Sequence, residues 1–134
     1  MAGTTLKLEV ITPERVAIST ETTSVTLAAV DGYLGIWPNH APLIAALRPD
    51  TLHYRTDKGE ELIFVSGGFV EVCDNVVSII APAAEAKADI NLARAQKSKE
   101  RAEERLRNKE GVDVARAQAS LARANGRINT VNSK

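Results

Sequence analysis

The sequence is poor in the residues from which catalytic and metal centres are usually built. Its 134 residues include one cysteine, two histidines, one tryptophan, two tyrosines and two phenylalanines. A single cysteine cannot close an internal disulfide, and with so few histidines the chain lacks the soft ligands of a structural zinc site. Cys73 is therefore expected to be a small core residue of a strand. Nucleophilic catalysis needs a base within reach of the nucleophile and usually a third group to orient it. Only His40 and His53 are available as histidine bases, and no G-x-S-x-G, H-E-x-x-H, P-loop or G-x-G-x-x-G motif occurs. The expectation is a protein without a catalytic residue or a metal ligand of its own. No run approaches the roughly 20 apolar residues of a membrane span. The N-terminal "MAGTTLKLEVITPERV" lacks the basic and then apolar segments of a signal peptide, so a cytosolic chain is expected.

What is present is unevenly distributed. The formal net charge is zero, yet residues 1–87 hold 6 Lys+Arg against 11 Asp+Glu, and residues 88–134 hold 11 against 6, a balance of −5 and +5. From Thr5 to Ala81 apolar residues recur with period two or in short runs, separated by "TPE", "DG", "PN", "RPD", "DKGE", "GG" and "DN". This predicts strands near 6–11, 15–18, 24–30, 33–36, 43–47, 51–56, 61–66, 69–73 and 76–80, in a small antiparallel sandwich or barrel. "TLHYRT" and "ELIFVS" around "DKGE" read as a hairpin. The two glycines of "SGGF" read as a bulge or a close backbone approach.

Past Pro82 the chain is alanine-rich, densely charged and free of proline. It reads as a helical hairpin divided at "NKEGVD", with Gly111 suited to a left-handed turn and Asp113 able to cap the second helix. Val114, Ala117, Leu121, Ala124, Ile128 and Val131 form one narrow seam on that helix. Leu92, Ala95, Ala102 and Leu106 form its counterpart, interrupted by Lys99. Such small side chains bury little area, so the hairpin is expected to be marginal alone. Arg94, Lys97, Arg101 and Arg105 make one basic stripe, and Arg116, Arg123 and Arg127 another. Like charges at this spacing destabilise an isolated helix, which points to an anionic partner. A stand-alone nucleotide- or nucleic-acid-binding module is the alternative, although nucleic acid fits poorly with a hairpin that has no aromatic residue.

Three stretches carry a resemblance that covers nearly the whole chain: "LEVITPERVAISTETTSVTLAAVDGYLGIWPNHAPLIAAL", "ELIFVSGGFVEV", and "ADINLARAQKSKERAEERL" followed by "GVDVARAQASLARA". Together they resemble the epsilon-subunit family of the rotary F-type ATP synthase. The resemblance implies an α+β chain with segregated domains. Residues 1–87 would form a flattened β-sandwich of about ten strands, and residues 88–134 an antiparallel two-helix hairpin. It further implies a non-catalytic subunit on the cytoplasmic face of the bacterial cell membrane, reaching the membrane only through its complex. The sandwich would contact the gamma subunit and the ring of c subunits, with Asp31, Tyr33, Asn39 and His40 at that contact. The hairpin would fold down on the sandwich or extend along gamma to inhibit ATP hydrolysis. Arg116, Arg123 and Arg127 would then face the acidic loop of the beta subunits, with alpha nearby.

Some members of that family bind regulatory ATP on the folded hairpin through Ile or Leu, then Asp, two residues, Arg and Ala. The matching residues are Ile90, Asn91, Arg94 and Ala95, with Glu85, Arg123 and Arg127 in support. Asn91 departs from the motif, replacing a carboxylate acceptor with an amide.

Overall fold

The structure is a computed structural model that describes residues 4–108 and 111–133. Ten strands come first: β1 (Leu6–Ile11), β2 (Val16–Thr22), β3 (Ser24–Ala29), β4 (Gly32–Ile36), β5 (Leu43–Leu47), β6 (Asp50–Thr56), β7 (Gly59–Val65), β8 (Gly68–Cys73), β9 (Val76–Ile80) and β10 (Ala84–Ala86). A 3-10 turn (Lys87–Asp89) leads to two helices, α1 (Leu92–Arg107) and α2 (Val114–Asn132). The strands form a single sheet in the order β10-β7-β6-β3-β5-β8-β9-β1-β2, folded on itself, with β4 on β3.

Alternation drives this closure. Leu6, Leu8 and Val10 are buried while Lys7 between them is exposed, and Val25, Leu27, Ile36, Val70, Val72, Val77 and Ile79 complete the same interior. The pairing is antiparallel except for β1 with β9, which run parallel from Lys7↔Val76 to Ile11↔Ile80. A parallel pair cannot be joined by a tight turn, and here almost the whole sandwich intervenes between the two strands. β6 and β7 form the expected hairpin, closing at Thr56↔Gly59. In "SGGF" the close approach is real. Gly68 has φ +93°, and a Cβ there would sit 2.0 Å from the Ile80 carbonyl oxygen.

Two features differ from the sequence reading. Cys73 is exposed, because it ends β8 on the outward parity opposite Val70 and Val72. β10 lies in an alanine-rich stretch with no strand propensity. Backbone pairing makes it a strand, with Ala84↔Val65, Glu85↔Phe64 and Ala86↔Ile63.

Both helices are capped, α2 by the expected Asp113 and α1 by Asn91. Asn91 Oδ1 accepts from the Arg94 amide and Asp113 Oδ1 from the Arg116 amide, each at 3.0 Å. Gly111 has φ +70°, while Lys109 and Glu110 of the expected break lie outside the described residues. α1 packs on α2, and α2 packs on β6 and β7. The seam predicted for α2 buries Ala117 and Ala124, but Gly126 and Thr130 are buried too, off that seam. α2 thus has two buried faces, one for α1 and one for the sandwich.

The sandwich interior is one cluster drawn wholly from residues Leu6 to Ala84. A chain ending at Lys87 is accordingly expected to unfold in a single cooperative transition, measured by circular dichroism on heating. A gradual, non-cooperative melt would show that the sandwich needs the hairpin to fold.

Candidate functional site

On the outer face of the sheet, Thr51, Phe64 and Glu85 stand in one cross-strand row, paired Thr51↔Phe64 and Glu85↔Phe64. Phe64 points away from the interior that its neighbours Ile63 and Val65 enter, yet it is fully buried. What covers it is α2. Position by position, the row receives Thr130, Gly126 and Arg127.

Thr130 Oγ1 donates to the Gly126 carbonyl at 2.9 Å, so at 2.8 Å from Thr51 Oγ1 it must accept. This chain leaves no unpaired hydroxyl in a buried contact, where an orphan would cost about 1–3 kcal/mol. The Arg127 guanidinium lies 4.6 Å above the Phe64 ring and donates from Nε to Glu85 Oε1 at 2.5 Å. Two contacts flank the row: Asn129 Nδ2 donates to Asp50 Oδ1 at 2.8 Å, and Lys87 Nζ donates to the Ser133 carbonyl.

Beside Arg127 opens a cleft of about 360 Å³, lined by β10, the 3-10 turn and both helices. Of the seven residues singled out in the sequence for nucleotide contact, Glu85, Asn91, Arg94, Ala95, Arg123 and Arg127 line it. The seventh, Ile90, does not; it is half-buried and ends the 3-10 turn. Asp89, Ser98 and Ser120 complete the polar wall. Among the described residues Arg94 and Arg123 make no ion pair, whereas Arg127 is committed to Glu85. The cleft therefore presents two free guanidinium groups, with hydroxyls and carboxylates around them, which suits an anion that also carries hydrogen-bonding groups. Arg116, grouped with Arg123 and Arg127 by spacing, is exposed and does not line the cleft.

The residues assigned to the other contact fall into two groups. Asp31 and Tyr33 sit at the start of β4, where Arg48 lies 4.9 Å over the Tyr33 ring. Asn39 and His40 follow its other end, about 17 Å away by strand rise. There the Asn39 amide donates to Asn75 Oδ1 at 2.8 Å. His40 Nδ1 is 2.7 Å from the Ala41 carbonyl, which can only accept, so the proton is on Nδ1. Two apolar features of the surface were not anticipated. Trp37 is 60% exposed and lies over Gly35, where a Cβ would meet its ring at 2.5 Å. Ala46, Phe69, Ile80, Ile11 and Val16 form a cross-strand row on the outer face of five strands, and Phe69, Ile80 and Val16 in it are each more than half exposed.

Comparison with known proteins decides the family. Residues 5–87 match the family profile "ATP synthase, Delta/Epsilon chain, beta-sandwich domain", and residues 88–132 match "ATP synthase, Delta/Epsilon chain, long alpha-helix domain". The chain belongs to the epsilon-chain family of ATP synthase. The ATP synthase epsilon chain of Desulfitobacterium hafniense (strain Y51) is 45% identical over 99% of this chain and 100% of its own length. That of Moorella thermoacetica is 44% identical over 96% and 97%. The fold is also similar to a chain in the cryo-EM structure of Euglena gracilis mitochondrial ATP synthase, OSCP/F1/c-ring, with TM-score 0.75 at 21% identity over 92% of this chain and 78% of that one.

Within this family member the cleft residues were legible as a motif, and the row that seats the helix was not. Phe64 had a signal, since "ELIFVS" is apolar at both parities and one parity must face outward. Gly126 and Thr130 had none that periodicity registers. Replacing Arg127 by Ala removes an ion pair and a cation–π contact at a site 28% exposed, expected to lower stability by about 1–2 kcal/mol. Arg127→Lys should recover less than half of that, since a lysine lacks the planar fork. Urea unfolding of the full chain checks both.

Proposed function

We propose that the chain is the coupling and regulatory subunit of the central stalk of a bacterial F-type ATP synthase, supplying no catalytic group. In this reading the sandwich is held between the gamma subunit and the c ring, on the cytoplasmic face of the membrane. The apolar row through Phe69 and Ile80 suits a permanent protein contact, as contiguous exposed apolar surface usually does. The polar ends of β4, with Asp31, Tyr33, Asn39 and His40, suit the ring. The hairpin is the regulatory part. When released from the sandwich it inhibits hydrolysis, with Arg116, Arg123 and Arg127 meeting the acidic loop of the beta subunits.

ATP is the proposed ligand of the cleft, and the observation that carries this is the cleft's composition from both halves of the chain. Glu85 comes from the sandwich, Asn91 and Arg94 from α1, and Arg123 and Arg127 from α2. A ligand held by all of them favours the docked hairpin, because only that state assembles the site. Arg94 and Arg123, free of ion pairs, take the phosphates. Asn91 spends its carbonyl oxygen on the Arg94 amide, leaving an amide donor where a carboxylate would offer a second acceptor to ribose or adenine.

Calorimetry on the full chain tests the ligand: ATP binds, and Arg94→Ala or Arg123→Ala removes measurable heat at millimolar nucleotide. No heat with the unaltered chain would sink the assignment. Asn91→Asp should tighten binding roughly fivefold, the equivalent of about 1 kcal/mol for a charge-assisted in place of a neutral hydrogen bond. Regulation is tested in the assembled enzyme, where truncation before Asp89 should raise ATP hydrolysis. An unchanged rate would remove the inhibitory role.

A further inference from the structure

The seat of α2 on the sandwich is made at a residue without a side chain. Gly126 is buried in mid-helix. A Cβ there would lie 2.7 Å from Phe64 Cε1 and 3.0 and 3.1 Å from the carbonyl oxygen and carbon of Pro49. Neither neighbour is free to yield. Pro49 contributes backbone at the corner between β5 and β6, and Phe64 is fully buried between Thr51 and Glu85.

Glycine in a helix interior costs about 1 kcal/mol relative to alanine. α2 carries that cost, and the docked position has a use for the missing Cβ. The adjacent Arg127 crosses the face of the same ring. Phe64 thus receives bare helix backbone at its edge and a guanidinium on its face, and the second contact requires the first.

We propose that Gly126 is the docking key of the hairpin: a side chain at this position holds α2 off the sandwich and opens the cleft while leaving both helices intact. Its consequence for regulation rests on the proposed function, but the seating does not, so the experiment reads seating alone.

Paired nitroxide labels at Arg48→Cys and Ala119→Cys, in a full chain with Cys73→Ser, report the separation of the β5–β6 corner from α2, since Ala119 stands one helical turn from Ala122, which shares a groove with Arg48. The docked chain gives one short distance. With Gly126→Ala more than half of the population should move to longer distances, and with Gly126→Leu all of it should. Helical circular dichroism should hold or rise in both. Gln118→Leu, on the exposed surface of α2, should keep the docked distance. Retention of the full docked population in Gly126→Leu would overturn the proposal. So would loss of helical signal in both variants, which would mean that position 126 acts on the helix rather than on its seat. A failure of ATP to bind, or of truncation to alter hydrolysis, leaves these distances to decide the docking key by themselves.

Discussion

The contact between the row Thr51–Phe64–Glu85 and the α2 residues Gly126, Arg127 and Thr130 is the constraint on which the placement of the hairpin and the existence of the cleft depend. A sheet whose interior is already filled has little reason to accept a helix on its outside. Here one outward phenylalanine provides the apolar contact, a hydroxyl pair on one side and an ion pair on the other fix the register, and a glycine lets the backbone come close. The cleft follows from that register. Moving α2 off the row would separate Arg123 and Arg127 from Glu85, and the pocket would lose one wall.

The strength of this contact is modest. Covering Phe64 is worth about 1.5–3 kcal/mol, the Thr51–Thr130 bond about 1 kcal/mol and the partly exposed ion pair about 1 kcal/mol or less. A ligand that bound only the docked state would add about 2.7 kcal/mol at a hundredfold excess over its dissociation constant. Seating and ligand are thus of one magnitude, so occupancy of the cleft has the leverage to set the hairpin's position. Within the hairpin, the seam of alanines with half-buried Leu92, Leu106 and Leu121 gives the helices little reason to hold to one partner.

Much of this was legible in the sequence because local rules reported it. Period-two alternation with turn residues located nine strands, and the cap Asp113 with Gly111 before it announced the second helix. The cleft was legible as a motif, because its residues are drawn from a short stretch and a few arginines. Less accessible was whatever depends on a partner far along the chain. β10 is a strand only because β7 offers it an edge. Cys73 looked like core because its neighbours are, and parity at the end of β8 turned it outward. Gly126 and Thr130 look like gaps in a helical seam. Their meaning appears only when a second face, set by Thr51 and Phe64, is brought against them.

The charge imbalance between the halves is not resolved by folding. With −5 on one side and +5 on the other, the docked hairpin had the opportunity to neutralise the sandwich. Among the described residues a single ion pair, Glu85 with Arg127, crosses between them; the others join Lys7 to Glu9 and Arg55 to Glu60 within the sandwich. Arg94, Lys97, Arg101, Arg105 and Arg116 remain exposed and outside every ion pair among the described residues. If the stripes served the stability of this chain, the acidic strands a few residues away would be their partners. That they are not leaves the basic surface available to an anion from outside, and it assigns the direct contacts that hold helix on sandwich to the Phe64 row and its flanks rather than to the basic stripes.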